Sequence, residues 1–346
     1  MLKTLSGLAL VALLLTGNAA LAEVVSDLHS ARVPIENQSS KALANASQDA
    51  LAEVFVKVSG SKDVLSHPDL VAALPKARSH VQQYVFSRDP GPDGALHARF
   101  EFEASYVNGL LTDARLPLWT ANRPRVLVWM AVELDGRRQF VSLAETPELA
   151  AQLVAEFERR GVPVQLPLFD LSDATAIAVD DVWKQQGSTI QSVSARYDVQ
   201  DILVGRGVEV SSGAWNGDWS YLYGTHRMDR SSRAPLAAGF MRDGVNLAAE
   251  EMASRYAVAA TGVADDRIQM IVNGVYEFSD YTAIVSWLES LELIEHANIQ
   301  SISGDRVEFG LDAAADAAQL ASIIELNDRL LPVESLPDQL VYQWRN

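Results

Sequence analysis

The run Val126-Leu127-Val128-Trp129-Met130-Ala131-Val132 constrains the fold more than any other feature of this 346-residue chain. A strand that is apolar at every position has no solvent side, so it asks for a central place in a sheet. The run suits a strand and falls far short of the ~20 apolar residues of a membrane-spanning helix. Asp135-Gly136 follows as a hairpin-turn dipeptide and predicts a returning strand through Phe140 and Val141. With 48% hydrophobic and 21% charged residues, the chain has enough apolar material for cores and is not of disordered composition.

Helical and strand patterns flank this run on both sides. Upstream, a strand is expected over Val24–Val33, followed by a helix with Leu43, Ala46, Ala50, Leu51, Val54, Phe55 and Val58 on one face and Gly60 as its stop. A second helix is expected around Lys76–Tyr84, then a strand over Leu96–Tyr106 with Phe100 and Phe102 opposite Glu101 and Glu103. Downstream, Thr146-Pro147-Glu148 reads as a helix start, with a capping hydroxyl, a first-position proline and an early acid, and Gly161 as the stop. A strand at Val162–Leu166, a helix near Ser188–Tyr197, a hairpin of Asp201–Val210 with Ala214–Tyr223 and a helix over Arg242–Ala259 follow. The last segment reads strand (Ile268–Val272), helix capped by Ser279, hairpin over Gly304-Asp305, helix from Asp312 and a final strand carrying Leu340, Tyr342 and Trp344.

The expected fold is therefore mixed α/β in several modules: 23–117 an N-terminal α+β module, 118–262 a middle α/β module, and 263–346 a ferredoxin-like β-α-β-β-α-β module. Their joints are placed near Leu116–Arg123 and Thr261–Ala264.

Residues 1–22 read as a secretory signal peptide. Lys3 is the positive start, Leu5–Leu15 the apolar stretch, and Ala20-Leu21-Ala22 the cleavage site. The chain then belongs in the periplasm, with no transmembrane span after cleavage. The absence of cysteine rules out disulfides, thiolate metal sites and thiol nucleophiles. With 28 Lys+Arg against 45 Asp+Glu, a net charge of −17, the chain lacks the cationic face that nucleic acid requires.

No catalytic motif emerges. The histidines show neither the i, i+4 ligand spacing nor H-E-x-x-H. His67-Pro68-Asp69 reads as a helix-start turn, Asp180-Asp181 and Asp265-Asp266 as solvated acids, and Glu101 with Glu103 as the wet face of a strand. There is no G-x-S-x-G elbow, and Gly205-Arg206-Gly207 lacks the third glycine of a dinucleotide loop. No catalytic residue, metal or cofactor is therefore assigned. The unusual feature is Trp215-x-Gly217-x-Trp219-x-Tyr221-x-Tyr223, whose side chains share one strand face. Trp215 and Trp219 are expected to pack. Arg206, Trp215, Trp219, Tyr221 and Tyr223 are the binding candidates, with recognition placed near Tyr221 and Tyr223.

Val56-Lys57-Val58-Ser59-Gly60, Leu116-Pro117-Leu118-Trp119, Arg123–Trp129, Ala195-Arg196-Tyr197, Ile202–Gly207 and Trp215-Asn216-Gly217-Asp218-Trp219 together resemble the domain of unknown function 2066 family of exported gammaproteobacterial proteins. The middle segment is also similar to TolB N-terminal and CsgG-type envelope modules, which act by protein contact. The resemblance brings no catalytic residues. The expected function is a non-enzymatic accessory or adaptor of a cell-envelope process with envelope proteins as partners. The alternatives are a periplasmic hydrolase with a dispersed carboxylate site and a glycan-binding module using the Trp215/Trp219 strand.

Overall fold

The computed structural model describes residues 22–89, 94–259, 268–291, 293–327, 329–336 and 339–345. Residues 1–21 of the expected signal peptide, the expected joint at 261–264 and Asp265-Asp266 lie outside the described residues. The chain is a mixed α+β protein with three main sheets.

The first segment contains β1 (Ala22–Val24), β2 (Ser30–Pro34), α1 (Ser40–Ser59), α2 (Pro68–Ala73), β3 (Val81–Arg88), β4 (Leu96–Phe102) and α3 (Ala104–Asp113). The strand expected over Val24–Val33 is divided by a turn. Its first part pairs with β6 (Asn122–Pro124), which follows β5 (Pro117–Leu118), and its second part pairs with β4. The apolar stripe of α1 is buried, and Gly60 ends the helix at φ 79° as expected. The helix expected at Lys76–Tyr84 is instead a 3₁₀ turn over Leu74–His80 running into β3. Val81, Tyr84, Val85 and Phe86 are β-branched or aromatic, and an open edge of β4 was available to them. The strand expected to reach Tyr106 stops at Phe102, with Phe100 and Phe102 buried and Glu101 and Glu103 exposed.

The central sheet has the order β12-β11-β10-β7-β8, from β7 (Val126–Leu134), β8 (Arg137–Phe140), α4 (Pro147–Arg160), β9 (Val164–Gln165), α5 (Leu171–Ala176), α6 (Val179–Trp183), α7 (Gly187–Ser194), β10 (Asp201–Glu209), β11 (Trp215–Tyr223), β12 (His226–Ala234) and α8 (Ala237–Tyr256). Strand β7 is parallel to β10 on one side and shares its other edge between β8 and β9. Its alternating side chains serve two cores. Val126, Val128, Met130 and Val132 meet α4 and α8 residues such as Leu153, Phe157, Val245 and Met252. Leu127, Trp129 and Ala131 meet Val182 and Ile190 of α6 and α7. The continuous apolar run is thus explained by a helical layer on each face. Thr146 does not cap α4, because its hydroxyl accepts the Ser142 N–H at 3.1 Å in the preceding turn.

After β13 (Val258–Ala259), which pairs with β5, the last segment comprises β14 (Ile268–Asn273), α9 (Phe278–Glu289), β15 (Ile294–Ser303), β16 (Arg306–Ala313), α10 (Ala317–Ile324), β17 (Leu330–Leu336) and β18 (Gln339–Trp344). The β-α-β-β-α-β order is present with one added strand, in sheet order β15-β16-β14-β18-β17. Strand β18 inserts between β14 and β17, parallel to β14. Glu277 rather than Ser279 is the N-cap of α9. Asp312 lies in β16, and Asp316 caps α10 by accepting the Gln319 N–H at 2.8 Å. One apolar cluster includes the N-terminal core, Leu118 and Val258 of the paired strands β5 and β13, and the C-terminal core. Among the described residues no helix is long and apolar enough to cross a membrane.

Candidate functional site

The aromatic strand β11 is an interior strand, between β10 and β12. Trp219 is fully buried, with its ring against Gly205 of β10 and Gly244 of α8. A Cβ at either glycine would come within 2.4 Å of it. The ring centroid lies 5.1 Å from that of Phe240, and its Nε1–H donates to the Phe240 carbonyl at 3.1 Å. Trp215 and Tyr221 are buried in the same core, and Tyr223 is half-buried beneath the Arg255 guanidinium at 3.9 Å. Arg206 is half-exposed and paired with Asp218, its register partner on β11, at 2.7 Å. These five residues do not form one surface. Trp215, Trp219 and Tyr221 present no stacking face to a sugar, because α8 covers the side of the hairpin that carries them. Tyr221 donates instead to buried Asp201, which also meets Arg255 at 2.5 Å; burial holds the Asp201 carboxyl above its ordinary range against these two partners.

Residues 118–120 and 122–124 are buried, with Ala121 half-buried between them, and form an interface rather than an exposed linker. Here the ends of α1 and α4 meet. Gly60 and Gly161 both adopt the left-handed conformation, at φ 79° and 61°, and both are approached too closely for a side chain. A helix C-terminus leaves carbonyls unsatisfied and carries partial negative charge. Arg123, fully buried, answers both ends. It donates to Lys57 O at 2.8 Å, to Arg160 O at 3.2 Å and Gly161 O at 2.9 Å, and to Trp119 O and Thr120 O. Its guanidinium stacks 4.0 Å from the Trp119 ring centroid. Arg160 donates to Gly60 O at 2.7 Å, and burial lowers its guanidinium to a pKa of about 10.

Beside this joint, the first and middle segments enclose a cleft of about 700 Å³. One wall is β2 with the preceding turn, and the other is α4 with Arg242 of α8. Glu53 and Lys57, one turn apart on α1, line it as well. The Lys57 ammonium donates to Ser30 O at 2.7 Å and Asp27 O at 3.4 Å. Burial, then the nearby Arg123 charge, lowers its pKa to about 8. Glu53 Oε2 is buried and accepts no hydrogen bond among the described residues. Burial raises the pKa of that carboxyl against the pull of Arg159, Arg242 and Lys57. Six of the other lining ions are held in pairs. Glu156 grips Arg159 at 2.6 Å and Arg242 at 2.9 Å, Arg99 pairs with Asp27 at 2.8 Å, and Arg32 with Asp89 at 2.6 Å.

None of Glu53, Lys57, Arg159 or Arg242 stands out in the sequence as a site residue. The one available signal is Lys57, a charge between Val56 and Val58 in a stretch where α1 is otherwise apolar. The acids weighed from sequence stay on the surface: Asp180 pairs with Arg138 at 3.0 Å, and Asp181 accepts the Ala178 N–H. His67 precedes α2 at a turn, as expected. Among the described residues no group of three or more His, Asp or Glu side chains is placed to hold a metal ion.

The family model that matches is a domain of unknown function, DUF8605, over residues 22–120. This corrects the resemblance to the domain of unknown function 2066 family, which is not matched, nor are TolB or CsgG-type modules. The matched region holds Val56–Gly60 and Leu116–Trp119, whereas the stretches from Arg123 to Trp219 that supported the resemblance lie beyond it. It also holds β2, α1 and β4, one side of the cleft. No curated protein matches the chain. A formyltetrahydrofolate deformylase from Pseudomonas putida KT2440 aligns with 10% identity over 57% of this chain and 95% of its own. Its TM-score of 0.19 is too low for a shared fold.

Proposed function

We propose that this protein is an exported, non-enzymatic accessory protein of the cell envelope that holds a polar ligand or partner segment in the cleft between its first and middle segments. The observation that carries the reading is Glu53. A buried carboxylate oxygen without a partner costs about 1–3 kcal/mol or more, and a ligand donor offsets that cost. The leader-like residues 1–22 and the cysteine-free, acidic composition support export. Amino-terminal sequencing of protein from its native envelope is expected to begin at Glu23, and an intact Met1 overturns the export part.

A hydrolase reading has one observation in its favour: the raised Glu53 carboxyl shares the cleft with Asp27, Glu156 and Glu158. Acid–base chemistry needs a second carboxylate free to take a proton. Glu156 is clamped by two arginines and Asp27 by Arg99, and Glu158 is exposed on α4 rather than enclosed with Glu53, so binding is the better reading.

The cleft reading is tested by photocrosslinking in living cells. A photoreactive residue at Ala155, exposed on the α4 wall, is expected to give discrete adducts, and one at exposed Leu236, outside the cleft lining, is not. Equal labelling from both positions, or none from Ala155, removes the cleft as the binding site.

A further inference from the structure

Two features of the cleft narrow the ligand class, given the reading that the cleft binds. The first is charge. Five Lys or Arg side chains and four carboxylates line it, in a chain with 28 basic and 45 acidic residues. At its inner end Lys57, Arg159 and Arg242 face Glu53 and Glu156, an excess of one positive charge that becomes two when Glu53 takes up a proton. An anion is favoured there against the field of the rest of the protein.

The second is an open sheet edge. Strand β2 ends its sheet, with β4 on its inner side. Phe102 N–H donates to His29 O, and Ile35 N–H to Leu96 O, both at 2.9 Å. In an antiparallel ladder such bonds recur at every second residue, so the odd-numbered residues of β2 bond to β4 and the even-numbered ones point outward. Ser30 O is taken by Lys57, and Pro34 has no N–H. Arg32 therefore offers one outward N–H and one outward carbonyl along the cleft wall. An extended peptide pairs with such an edge through its main chain.

We propose that the cleft takes the carboxyl-terminal end of a short extended peptide, its main chain against Arg32 and its terminal carboxylate toward Lys57, Arg159 and Arg242. Glu53 sets the pH dependence. Protonated, it donates to the carboxylate; ionised, it repels it. The groups facing it are Lys57 from its own helix, Glu156 and Arg159 from α4, and Arg242 from α8. The arginines and Glu156 are held in ion pairs, and Lys57 loses its proton only near a pH of about 8. Affinity therefore falls as the pH rises through the Glu53 ionisation.

The test is calorimetric titration of the full exported chain with Ala-Ala-Ala, with its carboxyl-amidated form and with inorganic phosphate, at about pH 5 and about pH 6.5, both below the Lys57 range. The free acid is expected to bind about tenfold or more tighter than the amide, the size of one charge-assisted hydrogen bond, and tighter at the lower pH. E53Q, checked for fold by circular dichroism, puts an amide that donates at every pH in place of the titrating carboxyl and is expected to abolish the difference in affinity between the two pH values; an E53Q protein that keeps that difference overturns the role of Glu53. If E53Q does not fold, R242Q, whose side chain is half-exposed, is expected to lose the preference for acid over amide. Equal affinity for acid and amide overturns the carboxylate assignment. Phosphate binding as tightly as the tripeptide overturns the peptide assignment. No binding of any probe overturns both, and adducts from Ala155 then show whether the cleft reading itself survives.

Discussion

Replacing Trp219 by alanine is expected to lower the unfolding free energy by about 3–5 kcal/mol, the cost of emptying a large aromatic site in a close-packed core. The ring lies between two elements that lack side chains at the contact, Gly205 on β10 and Gly244 on α8. Neither backbone can follow the truncated residue inward without breaking a ladder or a helix, so the space stays largely empty. The Phe240 carbonyl also loses the indole N–H. Denaturant unfolding monitored by far-ultraviolet circular dichroism measures the loss. Leu236→Ala, at a residue 68% exposed, is the control and is expected to stay within about 0.5 kcal/mol. A Trp219→Ala protein as stable as the parent contradicts the packing described for β11.

Arg123→Met is expected to cost a comparable amount, about 3–5 kcal/mol, although no packed volume is emptied. One buried guanidinium serves five carbonyls, three of them at the ends of two different helices. Methionine fills much of the space and leaves those acceptors buried without donors. Each such group costs about 1–3 kcal/mol, and relaxation offsets part of the sum. Arg123→Lys is expected to recover only part of the loss, because an ammonium cannot reproduce the planar fork over Trp119. Both variants are expected to become sensitive to protease at 118–124, a stretch buried in the parent apart from half-buried Ala121, and to lose peptide binding in the cleft. The ends of α1 and α4 held by Arg123 carry the cleft residues Lys57 and Arg159. Full stability in Arg123→Met with unchanged protection at 118–124 contradicts this account of the joint.

Residues whose roles depend on their neighbours in the chain were legible without coordinates. The seven-residue apolar run demanded a central strand because period and composition act within one element. The stops at Gly60 and Gly161, the turn at Asp135-Gly136 and the β-α-β-β-α-β order of the last segment were readable for the same reason. The misreadings were also local. Lys76–Tyr84 spaces its apolar residues acceptably for a helix, and only the free edge of β4 drew Val81–Arg88 into a strand. What the sequence by itself determined is therefore the central strand, the strongly periodic helices and several of their ends, whereas α3, α5, α6 and β12 were not legible in it. The tertiary structure alone decided that Arg123 reaches Lys57 across 66 positions and that the Glu53 Oε2 atom is buried beside residues of α4 and α8. In sequence these are a basic residue in a joint and an acid on an amphipathic helix. Burial and partnership between distant segments give each its energy, and neither is encoded within one helical turn or one strand pair.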